Sequence, residues 1–282
     1  MHKSFHISGR ACRLLTALAL ALLLAAAQLP LAPGALARTS LADMPIAPEL
    51  ELINPTQPPA SGGVLGLPEG PRVDDSYFNG ALIVGDSVTL KLERYVREKR
   101  QGHEPNLLGN AKFFCAGSLG SGNLQKEIDD DSIHPSYKGQ KMMLEDAVVA
   151  AKATRVYIML GMNDLALYGV DGSVDNMMTL IRKVKEKSPD VQIFVQSATP
   201  RVAGKDQKIL NNANLKKYDT LLWETIRDCD MSGIYFVDVA SVMRGGDGTL
   251  PLAYCSDPDG QGIHFTSEAC RIWIDYLYTH TI

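Results

Sequence analysis

Short apolar runs alternate with amphipathic helical patterns along the C-terminal three-quarters of the chain. Five runs have the length and continuity of buried strands, and they occupy residues 81–84, 112–115, 155–160, 191–197 and 234–238. Apolar residues with the spacing of one helical face follow three of these runs, as Val88, Leu92 and Val96 do after the first. This alternation predicts an α/β fold, with a parallel sheet covered by helices on both faces.

The N-terminus has the pattern of a secretory signal. An apolar run at residues 14–29 follows a basic segment, and residues 35–37 (Ala-Leu-Ala) have the small-x-small form of a signal-peptidase site. Residues 1–37 are therefore predicted to be a signal peptide, and the mature protein is expected in the periplasm, in the cell envelope or outside the cell. The alternative is an uncleaved membrane anchor, because the run is near the lower limit for spanning a bilayer. We expect contact with a membrane only in that case.

Residues 38–73 are predicted to form a proline-rich tether. Seven of the fifteen prolines lie between Pro45 and Pro71, in a segment with little periodicity. Such a composition favours an extended linker that has no core of its own. The remaining residues, 74–282, have a length that suits one domain.

The charge of the chain argues against one class of partner. Of the 28 Lys and Arg residues, three lie in the predicted signal peptide, so cleavage leaves 25 against 32 Asp and Glu, a formal charge of −7. A protein that binds nucleic acid presents a basic face to the phosphates. We therefore expect no nucleic-acid partner.

Four cysteines follow the predicted signal peptide: Cys115, Cys229, Cys255 and Cys270. An even number in an oxidising compartment permits disulfides, and four cysteines allow three pairings. A bridge between Cys255 and Cys270 is one prediction, and buried free thiols are the alternative. Neither CxxC nor HExxH occurs in the sequence, so we expect no metal site. The serine-dependent mechanism predicted below also needs no cofactor.

A serine lies at the corner where the first predicted strand gives way to a helix. In open α/β sheets, ligands bind beyond the carboxyl ends of the strands, and Ser87 falls at such an end. A serine in this position can attack a carbonyl carbon if a base takes its proton. The alternative is that Ser87 only caps the helix.

Other polar residues and glycines follow neighbouring strands. Asn163 comes after the third predicted strand, where its amide could donate to a developing oxyanion. Gly117 and Gly120 come after the second, and either would let the backbone approach a ligand closely. His264 precedes the last predicted helix and is the histidine at the mouth of the predicted sheet. Together these residues predict an acyl-transfer site at the carboxyl ends of the strands.

Four segments carrying these residues resemble, in order, the sequence blocks of the SGNH, or GDSL-type, hydrolases. They are "GDSV" at 85–88, "CAGSLGSG" at 115–122, "GMND" at 161–164 and "GIHFT" at 262–266. The resemblance extends over about residues 77–282 and is closest to exported bacterial members. It implies a flavodoxin-like, three-layer fold with a central five-stranded parallel sheet.

The resemblance also implies roles for individual residues. Ser87 would be the nucleophile and His264 its base. The N–H groups of Ser87 and Gly120 and the amide of Asn163 would hold the oxyanion. The family's usual spacing of the glycine block matches Gly120 rather than Gly117.

The sequence departs from the family at the acidic residue. The family usually has Asp three residues before the histidine, but here that position is Gln261. Asp259 and Asp257 lie five and seven residues before His264, and we predict Asp259 as the supporting carboxylate because it has the shorter path. Asp257 precedes Pro258, which favours an extended conformation. If neither carboxylate reaches the imidazole, the site is a Ser–His dyad.

These observations predict an exported, serine-dependent acyl-ester hydrolase that works through an acyl-enzyme, on a small-molecule or polysaccharide ester. Two alternatives stay open. An O-acyltransferase or deacetylase of envelope polysaccharide would use the same residues. A non-catalytic binding module would retain the pocket without turnover, and the altered acidic position is the feature that favours it.

Overall fold

The computed structural model describes residues 65–282. The predicted signal peptide and residues 38–64 of the predicted tether lie outside the described residues. The described chain forms seven strands: β1 (Ala81–Gly85), β2 (Lys112–Cys115), β3 (Ser136–Tyr137), β4 (Gln140–Lys141), β5 (Arg155–Met159), β6 (Gln192–Gln196) and β7 (Ile234–Val237). It also forms six α-helices: α1 (Ser87–Gln101), α2 (Leu144–Ala151), α3 (Met162–Lys187), α4 (Asn212–Asp228), α5 (Ala240–Met243) and α6 (Ser267–Thr279).

Five of the strands form one parallel sheet in the order β2-β1-β5-β6-β7, and β3 and β4 form a separate antiparallel pair. Counted among the sheet strands alone, the order is 2-1-3-4-5, which is that of flavodoxin-like folds. The five strands correspond to the five apolar runs. The predicted fold class is therefore confirmed.

Helices cover both faces of the sheet, and alternate strand residues point to opposite layers. In β1, Leu82 and Val84 belong to the apolar cluster that contains residues of α2, α3 and α4. Ala81 and Ile83 belong to the second cluster, with residues of α1, α5 and α6. No helix within residues 65–282 is both long and apolar enough to cross a membrane.

The sheet changes direction of winding between β1 and β5. These strands are paired so that Gly85, the last residue of β1, lies opposite Met159, the last residue of β5. Open α/β sheets bind ligands at such a switch point, outside the carboxyl ends of the strands. Ser87 and Asn163, which follow the two strands, are therefore brought to the same crevice.

Residues 65–73, which the sequence assigns to the tether, lie against the outer edge of the sheet. Gly66 forms a bridge with Val237, and the Leu67 N–H donates to the Phe236 carbonyl at 2.9 Å. The Val73 N–H donates to a carbonyl of α6 at 2.9 Å. This segment pairs with backbone groups that the edge strand β7 would otherwise expose. The folded unit therefore includes residues placed before the predicted domain boundary at residue 74.

Candidate active site

The corner between β1 and α1 places Ser87 at the start of the helix. A Cβ atom on Gly85 would clash with Oγ1 of Thr89, so a larger residue does not fit at the end of the strand. Asp86 is the N-cap of α1, because its Oδ1 accepts the N–H of Val88 at 2.9 Å. Ser87 is thus the first helical residue rather than the cap. Its hydroxyl is free for other contacts, and its N–H belongs to the first turn, whose donors have no intrahelical partner.

His264 lies directly opposite Ser87. Its Nε2 is 3.0 Å from the Ser87 Oγ, although 177 positions separate the two residues in the chain. The histidine ends a loop before α6, whose N-cap is Thr266. For Nε2 to accept the serine proton, the single N–H proton of the neutral imidazole must be on Nδ1. The pair has the geometry of a nucleophile and its base.

The carboxylate beside this imidazole is Asp257. Its Oδ2 lies 2.8 Å from Nδ1 of His264. Both oxygens accept further hydrogen bonds, so that five donors surround the group: the N–H groups of Gln261, Ile263 and His264, the Cys255 thiol and His264 Nδ1. The carboxylate is thus fixed in position and orientation.

The prediction that Asp259 supports the histidine is wrong in this structure. The segment does fold back on itself, as its glycines suggested, but it closes on Asp257: the N–H groups of Gly260 and Gly262 donate to the Asp257 carbonyl at 2.9 and 3.1 Å. Gly262 has a φ of +67°, in the left-handed region that favours glycine. Asp259 contributes its backbone carbonyl to Lys205 Nζ at 3.1 Å, away from the imidazole.

The surroundings of Asp257 favour its ionised form. Partial burial by itself raises the pKa of Asp257, but hydrogen bonds from the backbone N–H and the ring of His264 outweigh it and lower the pKa to about 2. A carboxylate that stays ionised at neutral pH fixes the Nδ1–H tautomer. It also stabilises the imidazolium that forms when the serine proton arrives.

The predicted bridge between Cys255 and Cys270 is absent. Both residues are buried free thiols, as the alternative predicts, whereas Cys115 and Cys229 are free but only partly buried. The Cys255 thiol donates to Oδ1 of Asp257 at 3.3 Å, whereas Cys270 packs within the apolar cluster beneath α6. The two side chains therefore have separate partners.

Asn163 lies in the first turn of α3, next to the nucleophile corner. The preceding Gly161 has a φ of +129°, and a Cβ there would lie 2.5 Å from the ring of Tyr218. The Asn163 Nδ2 donates to Oδ2 of Asp86 and to the carbonyl of Leu119, both at 3.0 Å. Both amide hydrogens thus have acceptors, and an oxyanion would compete with one of them.

Gly120 belongs to a loop held against α3 by Asp164. The buried Asp164 carboxylate accepts the N–H groups of the two residues after Gly120, at 2.8 and 2.9 Å. A Cβ on Gly120 would lie 2.7 Å from Oδ1 of Asp164, whereas Gly117 has open space around it. The Gly120 N–H donates to the side-chain oxygen of Asn123 at 3.0 Å. Close approach therefore explains a glycine at position 120, and its N–H has an intramolecular acceptor.

The structure brings Ser87 and His264 into hydrogen-bond contact and places Asn163 beside them through Asp86. Gly120 is connected to them by its neighbour Leu119, which accepts from the Asn163 amide. Within residues 65–282, no group of three or more His, Cys, Asp or Glu side chains could hold a metal ion.

Two buried carboxylates of this site, Asp86 and Asp164, were not predicted from the sequence. Burial raises the pKa of both, and it raises that of Asp86 to about 6. The available signal was their position, because each is directly adjacent in the chain to a predicted site residue, Ser87 or Asn163. Acidic residues next to a candidate site in a mostly apolar stretch can be structural partners of that site.

Comparison with known proteins gives one family match. Residues 143–272 match the model of the GDSL-like lipase/acylhydrolase family. That range contains Asn163, Asp257 and His264 and begins after Ser87. No match was found among curated proteins.

Solved structures resemble the chain at low sequence identity. One is a proposed acylhydrolase from Bacteroides fragilis NCTC 9343, at 17% identity and a TM-score of 0.52, with 75% of this chain and 88% of that chain covered. Another is a GDSL-like lipase from Bacteroides thetaiotaomicron VPI-5482, at 18% identity and a TM-score of 0.49, with 70% and 84% covered. At these identities the first likeness speaks for the fold alone.

Proposed function

We propose that this chain, of which residues 143–272 match the GDSL-like lipase/acylhydrolase family, is an ester-bond hydrolase that works through an acyl-enzyme formed on Ser87. The observation that carries this proposal is the chain of hydrogen bonds from the Ser87 Oγ through His264 to Asp257, with distances of 3.0 and 2.8 Å. The non-catalytic binding module was favoured only by Gln261, which stands where the family usually has its aspartate. Asp257 supplies the carboxylate beside His264 instead.

In the first step, the Ser87 Oγ attacks the acyl carbon of the ester while Nε2 of His264 takes the hydroxyl proton. The carbonyl oxygen becomes an oxyanion, and the N–H of Ser87 and the amide of Asn163 are the donors that we assign to it. Collapse of the tetrahedral intermediate breaks the bond to the alcohol. His264 then returns its proton to the leaving oxygen, and the acyl group stays on Ser87.

In the second step, a water molecule repeats the attack on the acyl-enzyme. His264 takes a proton from this water, and the carboxylic acid leaves as the Ser87 Oγ recovers its proton. Asp257 remains ionised in both steps and stabilises the imidazolium. Gly120 is the third donor that we assign to the oxyanion, provided that its N–H exchanges the Asn123 oxygen for the substrate oxygen.

We further propose that the protein is exported and acts on a small-molecule or polysaccharide ester outside the cytoplasm. The pattern of residues 1–37 supports export. Expression of the full chain in a bacterial host, followed by fractionation and N-terminal sequencing, tests it. A protein retained in the cytoplasm with its N-terminus intact would contradict export.

The nucleophile is tested by Ser87→Ala with p-nitrophenyl acetate as substrate. We expect turnover to fall to background with an unchanged melting temperature, because Asp86 rather than Ser87 caps the helix. Ser132→Ala, at a half-buried loop position, is the matched control and should be fully active. Mass spectrometry of protein treated with a fluorophosphonate should place the adduct on Ser87. Full turnover by Ser87→Ala, or an adduct on another residue, would overturn the assignment.

A further inference from the structure

Asp86 is a buried carboxylate that the proposed reaction does not use. It is 3% exposed and makes no ion pair with Lys or Arg anywhere in residues 65–282. Burying a carboxylate without an ion pair is unfavourable, and burial raises the pKa of Asp86 to about 6. Capping α1 does not require this charge, because Ser and Asn cap helices as well as Asp does. A cap also uses only one of the two oxygens.

The second oxygen of Asp86 faces the side chain of Asn163. Oδ1 accepts the N–H of Val88, and Oδ2 accepts from the Asn163 Nδ2 at 3.0 Å. The other acceptor at this amide is the carbonyl of Leu119, also at 3.0 Å. An asparagine amide is nearly symmetric in shape, and it can present either its oxygen or its nitrogen to a neighbour. Two neighbours that only accept hydrogen bonds favour the nitrogen.

We propose that Asp86 is a positioning residue that selects and holds the donor orientation of the Asn163 amide beside Ser87. The proposal rests on the proposed function, in which that amide holds the oxyanion. Asp86 is covalently next to Ser87, so one residue ties the nucleophile corner to the neighbouring donor.

The two acceptors of the amide differ in strength. Hydrogen bonds to a charged group are roughly twice as strong as those between neutral groups. When an oxyanion forms, the neutral Leu119 carbonyl is the acceptor that yields its hydrogen to the oxyanion. The bond to Asp86 stays and prevents the amide from turning away. The charge of Asp86 thereby serves the site without touching the substrate.

Asp86→Asn is the sharpest test, because asparagine keeps the cap and the shape. With its oxygen on the Val88 N–H, the new side chain presents an NH₂ group to the NH₂ group of Asn163. Because two donors repel each other, the Asn163 amide turns its oxygen towards the new NH₂ group at position 86. Its nitrogen then no longer faces the site of the oxyanion. We expect kcat to fall by about 10²-fold, comparable to the loss of one oxyanion donor. KM should change less than threefold and the melting temperature should not decrease.

A double-mutant cycle separates positioning from a merely structural role. If Asp86 acts through Asn163, Asp86→Asn should lower kcat by less than about twofold in an Asn163→Ala background. Asp86→Ser, which caps the helix but is too short to reach the amide, should lose less activity than Asp86→Asn in the wild-type background. Effects on kcat that multiply across the cycle, or wild-type kcat in Asp86→Asn, would overturn the proposal.

The controls distinguish this inference from the proposed function. Absence of ester turnover in the wild-type protein, or full turnover in Ser87→Ala, contradicts the acyl-enzyme and with it the role of Asp86. Dependence on Ser87 together with an unaffected Asp86→Asn contradicts only the positioning role. Side-chain NH₂ signals of Asn163 in nuclear magnetic resonance spectra should shift in Asp86→Asn, and an unchanged signal would also count against it.

Discussion

Replacing Asp257 with asparagine removes the charge beside His264 and leaves the shape of the side chain. The structure predicts which way the new amide turns. Three donors converge on the position of Oδ1, the N–H groups of Ile263 and His264 and the thiol of Cys255, so the amide oxygen takes that position. The NH₂ group then occupies the position of Oδ2 and faces the imidazole Nδ1.

An NH₂ group facing Nδ1 requires that nitrogen to accept. The ring proton of His264 must then move to Nε2, where it blocks acceptance of the Ser87 proton. In a serine triad, the corresponding change lowers kcat by about 10⁴-fold because the histidine adopts the wrong tautomer. We expect a loss of about 10³–10⁴-fold in kcat for Asp257→Asn, with a much smaller change in KM.

The same substitution should lower stability by a modest amount. Lowering the pKa of Asp257 from 3.8 to about 2 corresponds to roughly 2 kcal/mol of folding free energy. Because 24% of the side chain is open to water, we reduce this to about 1 kcal/mol. The contribution is present above about pH 4 and is lost as the pH falls to about 2. At pH 7 we expect a melting temperature about 2–4 °C lower, and this difference should shrink in acid.

The assay is p-nitrophenyl acetate hydrolysis from pH 6 to 9, with melting followed by circular dichroism. Asp259→Asn is the matched control, since Asp259 contacts Lys205 only through its backbone carbonyl. We expect the control to keep kcat within about twofold and its melting temperature unchanged. Wild-type kcat in Asp257→Asn, or a larger loss in the control, would refute the assignment of the acid.

Three further predictions concern residues in and around the same site. Asn163→Ala should lower kcat by about 10²–10³-fold with a smaller effect on KM, and a change in KM alone would contradict its role as oxyanion donor. Gly120→Ala should reduce kcat and the melting temperature, because its Cβ would lie 2.7 Å from the Asp164 carboxylate, whereas Gly117→Ala should be neutral in both measurements. Mass mapping of the non-reduced protein should find Cys255 and Cys270 as free thiols, and a peptide linked through both would contradict the structure.

The fold could be predicted from the sequence because its signals are local. Each strand of a parallel sheet covered on both faces is apolar throughout, so five short apolar runs mark the five strands. The corner serine was identifiable for a similar reason, since it follows the first run directly. The segment at residues 65–73 gave no such signal. Its backbone pairs with β7. Pairing through backbone groups does not require particular side chains, so the amino-acid composition does not reveal it.

The choice between the two aspartates depended on register rather than on distance along the chain. Cys255 forms an antiparallel bridge with Phe265, and the Ser256 N–H donates to the carbonyl of His264 at 2.7 Å. The two segments therefore run as a hairpin, in which positions at equal distances from the bridge lie opposite each other. In this register Asp257 lies opposite Ile263, next to the histidine, and its Oδ1 accepts the N–H groups of both Ile263 and His264.

Asp259 lies near the tip of this hairpin. Although fewer residues separate it from His264, its position at the tip keeps its side chain away from the imidazole. In an Asp-x-x-His sequence, a tight local turn brings the carboxylate to the imidazole. Here the pairing of Cys255 with Phe265 across a longer loop brings Asp257 to the imidazole. Pro258 fits the second arrangement, because it favours an extended residue before it, as a hairpin arm requires. The feature taken as evidence against Asp257 is thus the one that suits its position.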